Sequence, residues 1–522
     1  MPAVLTRTLY SVAAVLLAAS LLAIHRGAGS VTHYPVTLPG GIPAIVYEPG
    51  PPRDIFRDAP SDRRYPVVVL AHGFSASKGV MDVLARRLSR AGYAVITFDF
   101  RGHAFNSTPF GYGWAREGLY EDLDKVVLYA SAQPQFDFER LILAGHSMGG
   151  GAVLGYASRH PGAAAVVGIS AGGRPDGPYP LPNTLLIWAS GDPQRIRSSQ
   201  RSIGARLADL ERLVLERTYG DPLRGSAVRI SEVDRNDHLT ILYSAEAARR
   251  ILSWLRETVR PPPDGPVQPA SDGRLVWAGM GLLCAVVLLF GAARVLAPAP
   301  GGGTRERSVD AREALLQLFG AHLATLVLLG GVDPLLGGGM LGLVPLVGGA
   351  ELMAFFLVSG LSLFGLALLR GGPRPRLAPN GHEIVAAAAV TLGVYVVLVA
   401  VLSPFWDLRL APHRIPSAVG TMLLCLPFFL ATDWSLRGDT RTRRWLSPLG
   451  KLVTFLFIVG GAVVGLLPFV LLLALVPLAC LFVLFEMVGA RVVQVNPEPW
   501  VPALVQAAST GWIVAALFPV AV

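Results

Sequence analysis

LILAGHSMGGGAVLGYA (residues 141–157) contains the change of rhythm from which the rest of the chain is read. An apolar run ends at Gly145, Ser147 stands between His146 and Met148, and a glycine-rich helix start follows. Residues 145–149 fit the pattern G-x-S-x-G. A serine on a sharp strand-to-helix turn is pushed above the sheet, and glycines on both sides let the backbone make that turn. The new helix supplies N–H groups and partial positive charge where an oxyanion would develop. The preceding strand and the following helix, more than the five letters, make Ser147 a candidate nucleophile.

Outward from this turn, residues 31–260 alternate strand-like and helix-like patterns. Apolar runs rich in Val and Ile occur at VVVLAHG (67–73), AVITFDF (94–100), RLILAG (140–145), AVVGIS (165–170) and TLLIWAS (184–190). Short continuous runs of this kind suit strands buried on both faces. Amphipathic stretches such as VMDVLARRLSRAG (80–92) and LYEDLDKVVLYASAQ (119–133) lie between them. The alternation predicts βαβ units, and so a mostly parallel sheet covered by helices.

A serine hydroxyl is a poor nucleophile without a base. On such a sheet the expected chain order is serine, acid, histidine. Asp192 follows the strand-like TLLIWAS, and His238 follows a further strand-like run at 226–231. Both fall at strand C-terminal ends, where open α/β sheets gather their sites. His238 would take the serine proton, and Asp192 would fix the imidazole and stabilise the imidazolium. Asp176 and Asp221 are the rival acids, but neither directly follows a clear strand. LAHGF (70–74) supplies a second turn, so the backbone N–H groups of Phe74 and Met148 form the expected oxyanion pair. The loop AFNSTPFGYGWAREG (104–118) carries Phe105, Phe110, Tyr112 and Trp114. These four are expected either to line an apolar acyl pocket or to touch a bilayer.

HGF (72–74), FDFRGHAFNS (98–107), GHSMGG (145–150), WASGD (188–192) and DH (237–238), in this order, resemble the α/β-hydrolase superfamily. The dienelactone-hydrolase-like and serine-aminopeptidase-like members are the nearest. The resemblance covers about 230 residues (31–260). It implies an α/β-hydrolase fold, Ser147, Asp192 and His238 as the triad, Phe74 and Met148 as oxyanion donors, and no metal or organic cofactor. Two positions depart from the pattern: Ala104 stands where the last glycine of a D-x-R-G-H-G loop is usual, and Ala189 where a glycine usually begins the acid turn. Only about 13 residues separate AVVGIS from TLLIWAS, too few for a helical cap domain, so an open or loop-lined pocket is expected.

The remainder of the chain reads differently. The 522 residues are 52% hydrophobic and 16% charged, a charge deficit pointing to lipid-embedded sequence. Residues 1–28 form an apolar N-terminal segment, read as an uncleaved anchor in preference to a signal peptide. VRPPPDGPVQPASDG places a Pro-rich linker at 261–274. From 275 to 522 long apolar runs recur, giving an all-α transmembrane domain of about eight spans. The stretch 450–488 is too long for one span and is expected to break at Pro468. The piece at 333–350 reads as a loop or a re-entrant segment. With a cytoplasmic N-terminus, twelve arginines fall in the inside segments and two, Arg409 and Arg414, in the short outside loops. This bias predicts that residues 31–270 lie outside the cytoplasm, on an integral protein of a bacterial cell membrane.

The formal charge is +9, but the arginines are spread between apolar segments, which argues against a nucleic-acid partner. Cys284, Cys425 and Cys480 all lie in the apolar half, so residues 31–260 carry no disulfide. His322, Asp333, Glu351 and Glu486 are ionisable groups in or near spans. His322 is expected to make a helix–helix hydrogen bond, and the three acids to sit near interfaces. These readings converge on a membrane-embedded serine hydrolase acting on an ester, less readily an amide, with lipid-like or acylated substrates favoured. The alternatives are an acyltransferase using the same triad, and a transporter or scaffold whose hydrolase-like domain only binds.

Overall fold

The computed structural model describes residues 3–28, 31–49, 64–111, 116–173, 175–259, 272–296, 310–332, 344–369, 376, 378–436, 443–493 and 499–521. Tyr112, Trp114, most of the linker read at 261–274 and most of the piece at 333–350 lie outside these residues. The chain divides into two compact units. One comprises Met1–Leu21, Ala278–Val401 and Leu408–Ala521; the other comprises Leu22–Trp277 together with Leu402–Asp407.

The unit built on Leu22–Trp277 contains a nine-stranded sheet. Its strands are β1 (Thr32–Leu38), β2 (Ile42–Glu48), β3 (Tyr65–Ala71), β4 (Ala94–Phe98), β5 (Phe136–His146), β6 (Ala165–Ile169), β7 (Asn183–Ala189), β8 (Thr218–Tyr219) and β9 (Val228–Val233). They lie in the order β1-β2-β4-β3-β5-β6-β7-β9-β8. The block from β4 to β9 is parallel, and β1, β2 and β8 join antiparallel. Each apolar run singled out above is a parallel strand. Val67, Val68, Val69, Leu70 and Ala71 are all fully buried, as a central strand covered on both faces requires.

The hairpin β1–β2 has a different pattern. β1 alternates half-buried and exposed residues, because only one of its sides is covered. Pro35 sits on this edge strand, where a missing N–H is tolerated. Gly40 and Gly41 make the turn with φ of 77° and 76°, a conformation that favours glycine.

Helix α1 (Ala3–Ala28) lies mostly in the other unit; the helices of this one are α2 (Asp82–Arg90), α3 (Arg116–Ser131), α4 (Met148–Arg159), α5 (Gln194–Leu207) and α6 (Ala245–Thr258). Leu84 and Leu88 of α2 join Ile251, Leu252 and Trp254 of α6 against Val68, Ile142, Val167 and Ile187 of the sheet. Trp406, from Leu402–Asp407, packs against the same core. A buried ion network ties the end of the unit to its core. Asp82 accepts from Tyr47 (2.8 Å), Arg86 (2.9 Å) and Arg274 (2.7 Å), and Arg274 also holds Asp272.

The other unit is helical. Across the described residues of the chain, eight helices are long and apolar enough to cross a membrane, from Arg7–Gly27 near the N-terminus to Trp500–Leu517. The expected break in 450–488 occurs: one helix ends at Val463 and the next runs Val470–Val493.

Candidate active site

Ser147 lies between the end of β5 and the first turn of α4, with φ 51° and ψ −114°. A non-glycine residue in this region costs roughly 1–3 kcal/mol, and the surrounding structure must hold it there. The Ser147 N–H donates to the Ile169 carbonyl (2.9 Å), and the Ser147 carbonyl accepts from Gly151 and Gly172 (3.0 Å each). The two flanking glycines are needed for close approach. A Cβ at Gly145 would meet the Gly149 carbonyl oxygen at 2.4 Å, and one at Gly149 would meet the His72 carbonyl oxygen at 2.3 Å.

The three sequence-predicted side chains meet. Ser147 Oγ is 3.0 Å from His238 Nε2, and His238 Nδ1 is 2.5 Å from Asp192 Oδ1. Ser147, His238 and Asp192 are 8%, 7% and 3% exposed, so the chain of hydrogen bonds is largely shielded from bulk water. Asp192 lies in the turn after β7. Its Oδ2 accepts from the Ser170 hydroxyl (2.5 Å) and the Ala189 N–H (2.8 Å). Burial pushes the Asp192 carboxyl up, but the hydrogen bonds from His238, Ser170 and Ala189 outweigh it and hold it below the usual carboxylate range. A charged Asp192 assigns the Nδ1 proton to His238 and leaves Nε2 as acceptor for the serine hydroxyl.

Ala189 closes this turn without needing a glycine. Its φ is not positive, and its carbonyl accepts the Asp192 N–H (3.0 Å). The rival acids are elsewhere: Asp176 pairs with Arg159 and Arg116, and Asp221 caps the turn Pro222–Arg224.

His238 sits on a short staged turn. The Asp237 carboxylate accepts the N–H groups of Leu239 and Thr240 (2.9 Å each), and the Thr240 hydroxyl accepts the Asp237 N–H (2.8 Å). A further group reaches it from the serine turn. His146 Nε2 donates to the His238 carbonyl (2.7 Å), and the two rings lie 4.7 Å apart. Burial, and then the neighbouring His238, push the His146 imidazole down to about 3, so it is neutral and carries its proton on Nε2. Neither His146 nor Ser170 is singled out by the sequence. Their partners are 92 and 22 residues away along the chain, and no local pattern announces either contact.

The expected oxyanion turn lies beside the serine. A Cβ at Gly73 would stand 3.1 Å from Ser147 Cβ, so the residue after it, Phe74, is close to the same turn. His72 fixes this segment: its Nδ1 donates to the Gly73 carbonyl (2.7 Å), and its Nε2 accepts the Phe100 N–H (3.0 Å). Met148, the other expected donor, is the first residue of α4. Phe110 is 1% exposed, with its ring edge-on to Phe74 (6.2 Å) and His103 (5.4 Å). Phe105 is half-buried, with the Lys78 ammonium 5.2 Å from its ring centroid. Asp99 holds the loop by accepting from the Lys78 backbone N–H (2.8 Å) and ammonium (2.5 Å).

The chain was compared with known protein families, curated sequences and solved structures. Residues 63–233 match the family described as serine aminopeptidase, S33. The monoacylglycerol lipase of Mycolicibacterium smegmatis is 38% identical over 96 residues, 18% of this chain and 34% of that protein. The chain spans 34–37% of the length of the curated relatives it matches. Similar solved structures include a dienelactone hydrolase from Anabaena variabilis, 18% identical with a TM-score of 0.32 over 44% of this chain and 100% of that one. A membrane phospholipase A is 20% identical with a TM-score of 0.33, over 49% and 95%. The sheet, the G-x-S-x-G turn and the family match together make the N-terminal domain of this chain a member of the α/β-hydrolase superfamily.

Proposed function

We propose that the chain is a membrane-embedded serine hydrolase that cleaves carboxylic esters with an apolar acyl group, its hydrolase domain lying on the extracytoplasmic side. The observation that carries this reading is the unbroken hydrogen-bond chain Ser147–His238–Asp192, with its serine on a strained turn at a helix start. A binding module has no use for all three groups in this order. The monoacylglycerol lipase relative and the eight apolar helices support an ester substrate delivered from a lipid surface. The excess of arginine on one side of the spans supports the orientation.

In this mechanism His238 Nε2 takes the Ser147 proton as Oγ attacks the ester carbonyl. Asp192 stays ionised, accepts the hydrogen bond from the Nδ1–H throughout and offsets the imidazolium charge. The tetrahedral oxyanion accepts hydrogen bonds from the Phe74 N–H in the turn after β3 and the Met148 N–H at the start of α4. Collapse expels the alcohol, which takes its proton from His238, and leaves the acyl group on Ser147. Water then attacks the acyl-enzyme, gives its proton to His238, and releases the acid as the proton returns to Ser147.

The test is covalent labelling with a fluorophosphonate probe. The wild type is expected to label, and Ser147→Ala to lose the label with its esterase activity. His238→Ala should slow labelling by at least 10³-fold, in line with loss of a triad base. Labelling that persists in Ser147→Ala overturns the nucleophile assignment.

A further inference from the structure

The helical unit contains a buried ion pair. Helix Arg443–Val463 carries Ser447, Lys451 and Thr454 at spacings of four and three, which places them on one helix face. Leu449, Leu452 and Leu456 on other faces are 42%, 53% and 57% exposed, while the side chains of Lys451 and Glu486 are 10% and 9% exposed. The Lys451 ammonium donates to the Glu486 carboxylate (2.5 Å) and to the Gln506 side-chain carbonyl. The Gln506 amide donates onward to Asp433 (2.7 Å). Thr454, one turn along, meets His322 Nε2 (2.9 Å), and His322 Nδ1 meets Ser359 (3.0 Å).

Burying an ion pair among apolar helices is costly, and a hydrophobic pair of similar volume commonly packs as well or better. Here the pair borders a cavity. The space measures about 420 Å³, within the range of small-molecule sites, and Phe428, Phe455, Ile458 and Phe482 form its apolar walls beside Lys451 and Glu486. Apart from the ion pair and Thr454, the lining is apolar.

We propose that this cavity binds an uncharged single-chain amphiphile with a hydroxylated head, of the alkyl- or acylglycerol class. The hydrocarbon chain lies along the phenylalanines and the head hydroxyl sits on the Lys451–Glu486 pair. The head assignment follows from the pair itself. It presents a donor and an acceptor side by side, and a hydroxyl is both acceptor and donor. An anionic head would meet the Glu486 carboxylate, and a cationic head the Lys451 ammonium. The site lies in the helical unit and stands whether or not Ser147 is a nucleophile.

An ether-linked alkylglycerol carrying a diazirine in its chain tests this, because no ester is present to be cleaved. The full chain is reconstituted in phosphatidylcholine nanodiscs, irradiated with the probe, and the adducts are mapped by mass spectrometry. Adducts are expected on Phe455, Ile458 and Phe482 above the level on lipid-facing Leu449. Unlabelled alkylglycerol should compete at least fivefold better than the fatty acid of equal chain length. The paired replacement Lys451→Met with Glu486→Leu, and separately the cavity-filling Ile458→Trp, should each lower these adducts at least fivefold. Each variant's folding is checked by its melting temperature, and two independent variants guard against a local collapse. Adducts at the Leu449 level, adducts indifferent to both variants in folded protein, or better competition by the fatty acid would each overturn the proposal.

Discussion

His146 is the residue whose chemistry reaches furthest beyond its own contact. Its Nε2 proton is the hydrogen bond that reaches the His238 carbonyl from the serine turn, so one side chain ties the two segments together. The imidazole titrates at about 3 in the folded protein against 6.5 in the open chain. Between these values the unfolded chain binds a proton that the folded chain does not. Stability is therefore complete above pH 6.5 and falls by about 1.4 kcal/mol per pH unit as the solution is acidified through that window. Asp192 acts in the same direction at lower pH: its depressed carboxyl contributes above the ordinary carboxylate range and is lost as pH falls through its folded value. Two substitutions separate holding from titration. His146→Gln keeps an N–H in reach of the carbonyl and carries no titratable proton, so it should retain most of the wild-type kcat at pH 7 and melt with a flatter dependence between pH 4 and 6.5. His146→Leu leaves the His238 carbonyl without this donor and should cost about 1–3 kcal/mol, with kcat falling more than KM rises. Equal kcat in both variants would mean that His146 only fills space. Ser147, Asp192 and His238 could be named in the sequence because each follows a strand-like run in the order serine, acid, histidine. His146 and Ser170 could not, because their partners are brought to them only by the sheet order β5-β6-β7-β9.

Among elements, the loop from β4 to α3 carries backbone strain at Ala104. Ala104 has φ 43°, in the left-handed region, at the position where the sequence pattern led one to expect glycine. The loop holds it there by bonding around it: Asp99 accepts from Lys78 and from the Phe105 N–H (3.3 Å), and Asn106 donates to the Asp99 carbonyl (2.9 Å). An L-residue in this conformation costs about 1–2 kcal/mol, while glycine loses about 0.4–1 kcal/mol more conformational freedom on folding. Ala104→Gly should therefore stabilise the domain by about 0.5–1 kcal/mol, read as a small rise in melting temperature. A fall would mean that the buried Ala104 methyl contributes more packing than its backbone costs. The same contrast explains which elements could be read in advance. β3, β4, β6, β7 and the Leu141–His146 part of β5 are covered on both faces and so read as short, mostly apolar runs. The β1–β2 hairpin is covered on one side and carries Thr, His and Pro between its apolar residues, so its sequence gave no comparable signal. β8 has two residues, too few for any period to register.

At the scale of the molecule, chain order and compactness part company at Leu402–Asp407. Read as sequence, LSPFWD is the connection between two apolar runs, and hydropathy alone places it with the spans. By contact it belongs to the unit of the nine-stranded sheet. Phe405 is 5% exposed, its carbonyl accepts from the Tyr243 hydroxyl (3.4 Å), and the Arg274 guanidinium lies 5.3 Å from its ring centroid. Trp406 joins the core formed by α2 and α6. Tyr243 ends the 3₁₀ turn Thr240–Tyr243 that begins two residues after His238, and its carbonyl accepts from Arg87 (2.9 Å). The segment therefore buttresses the stretch of chain that carries the proposed base. Its contribution is measurable in the full chain. Truncating a buried phenylalanine costs about 3–5 kcal/mol, and in a domain of this size each kcal/mol shifts the melting temperature by about 2–4 °C. Phe405→Ala should thus lower by roughly 6–20 °C the temperature at which the sheet-bearing unit is lost. The readout is fluorophosphonate labelling that survives brief heating, which follows that unit and is indifferent to the melting of the apolar helices. A shift below about 2 °C would mean that Leu402–Asp407 rests against the domain without supporting it. A shift in the expected range would explain why a fragment cut at the Pro-rich linker should be less stable than the same residues in the whole chain. Such a fragment lacks Phe405 and Trp406, and also Arg274, which pairs with the buried carboxylate of Asp82.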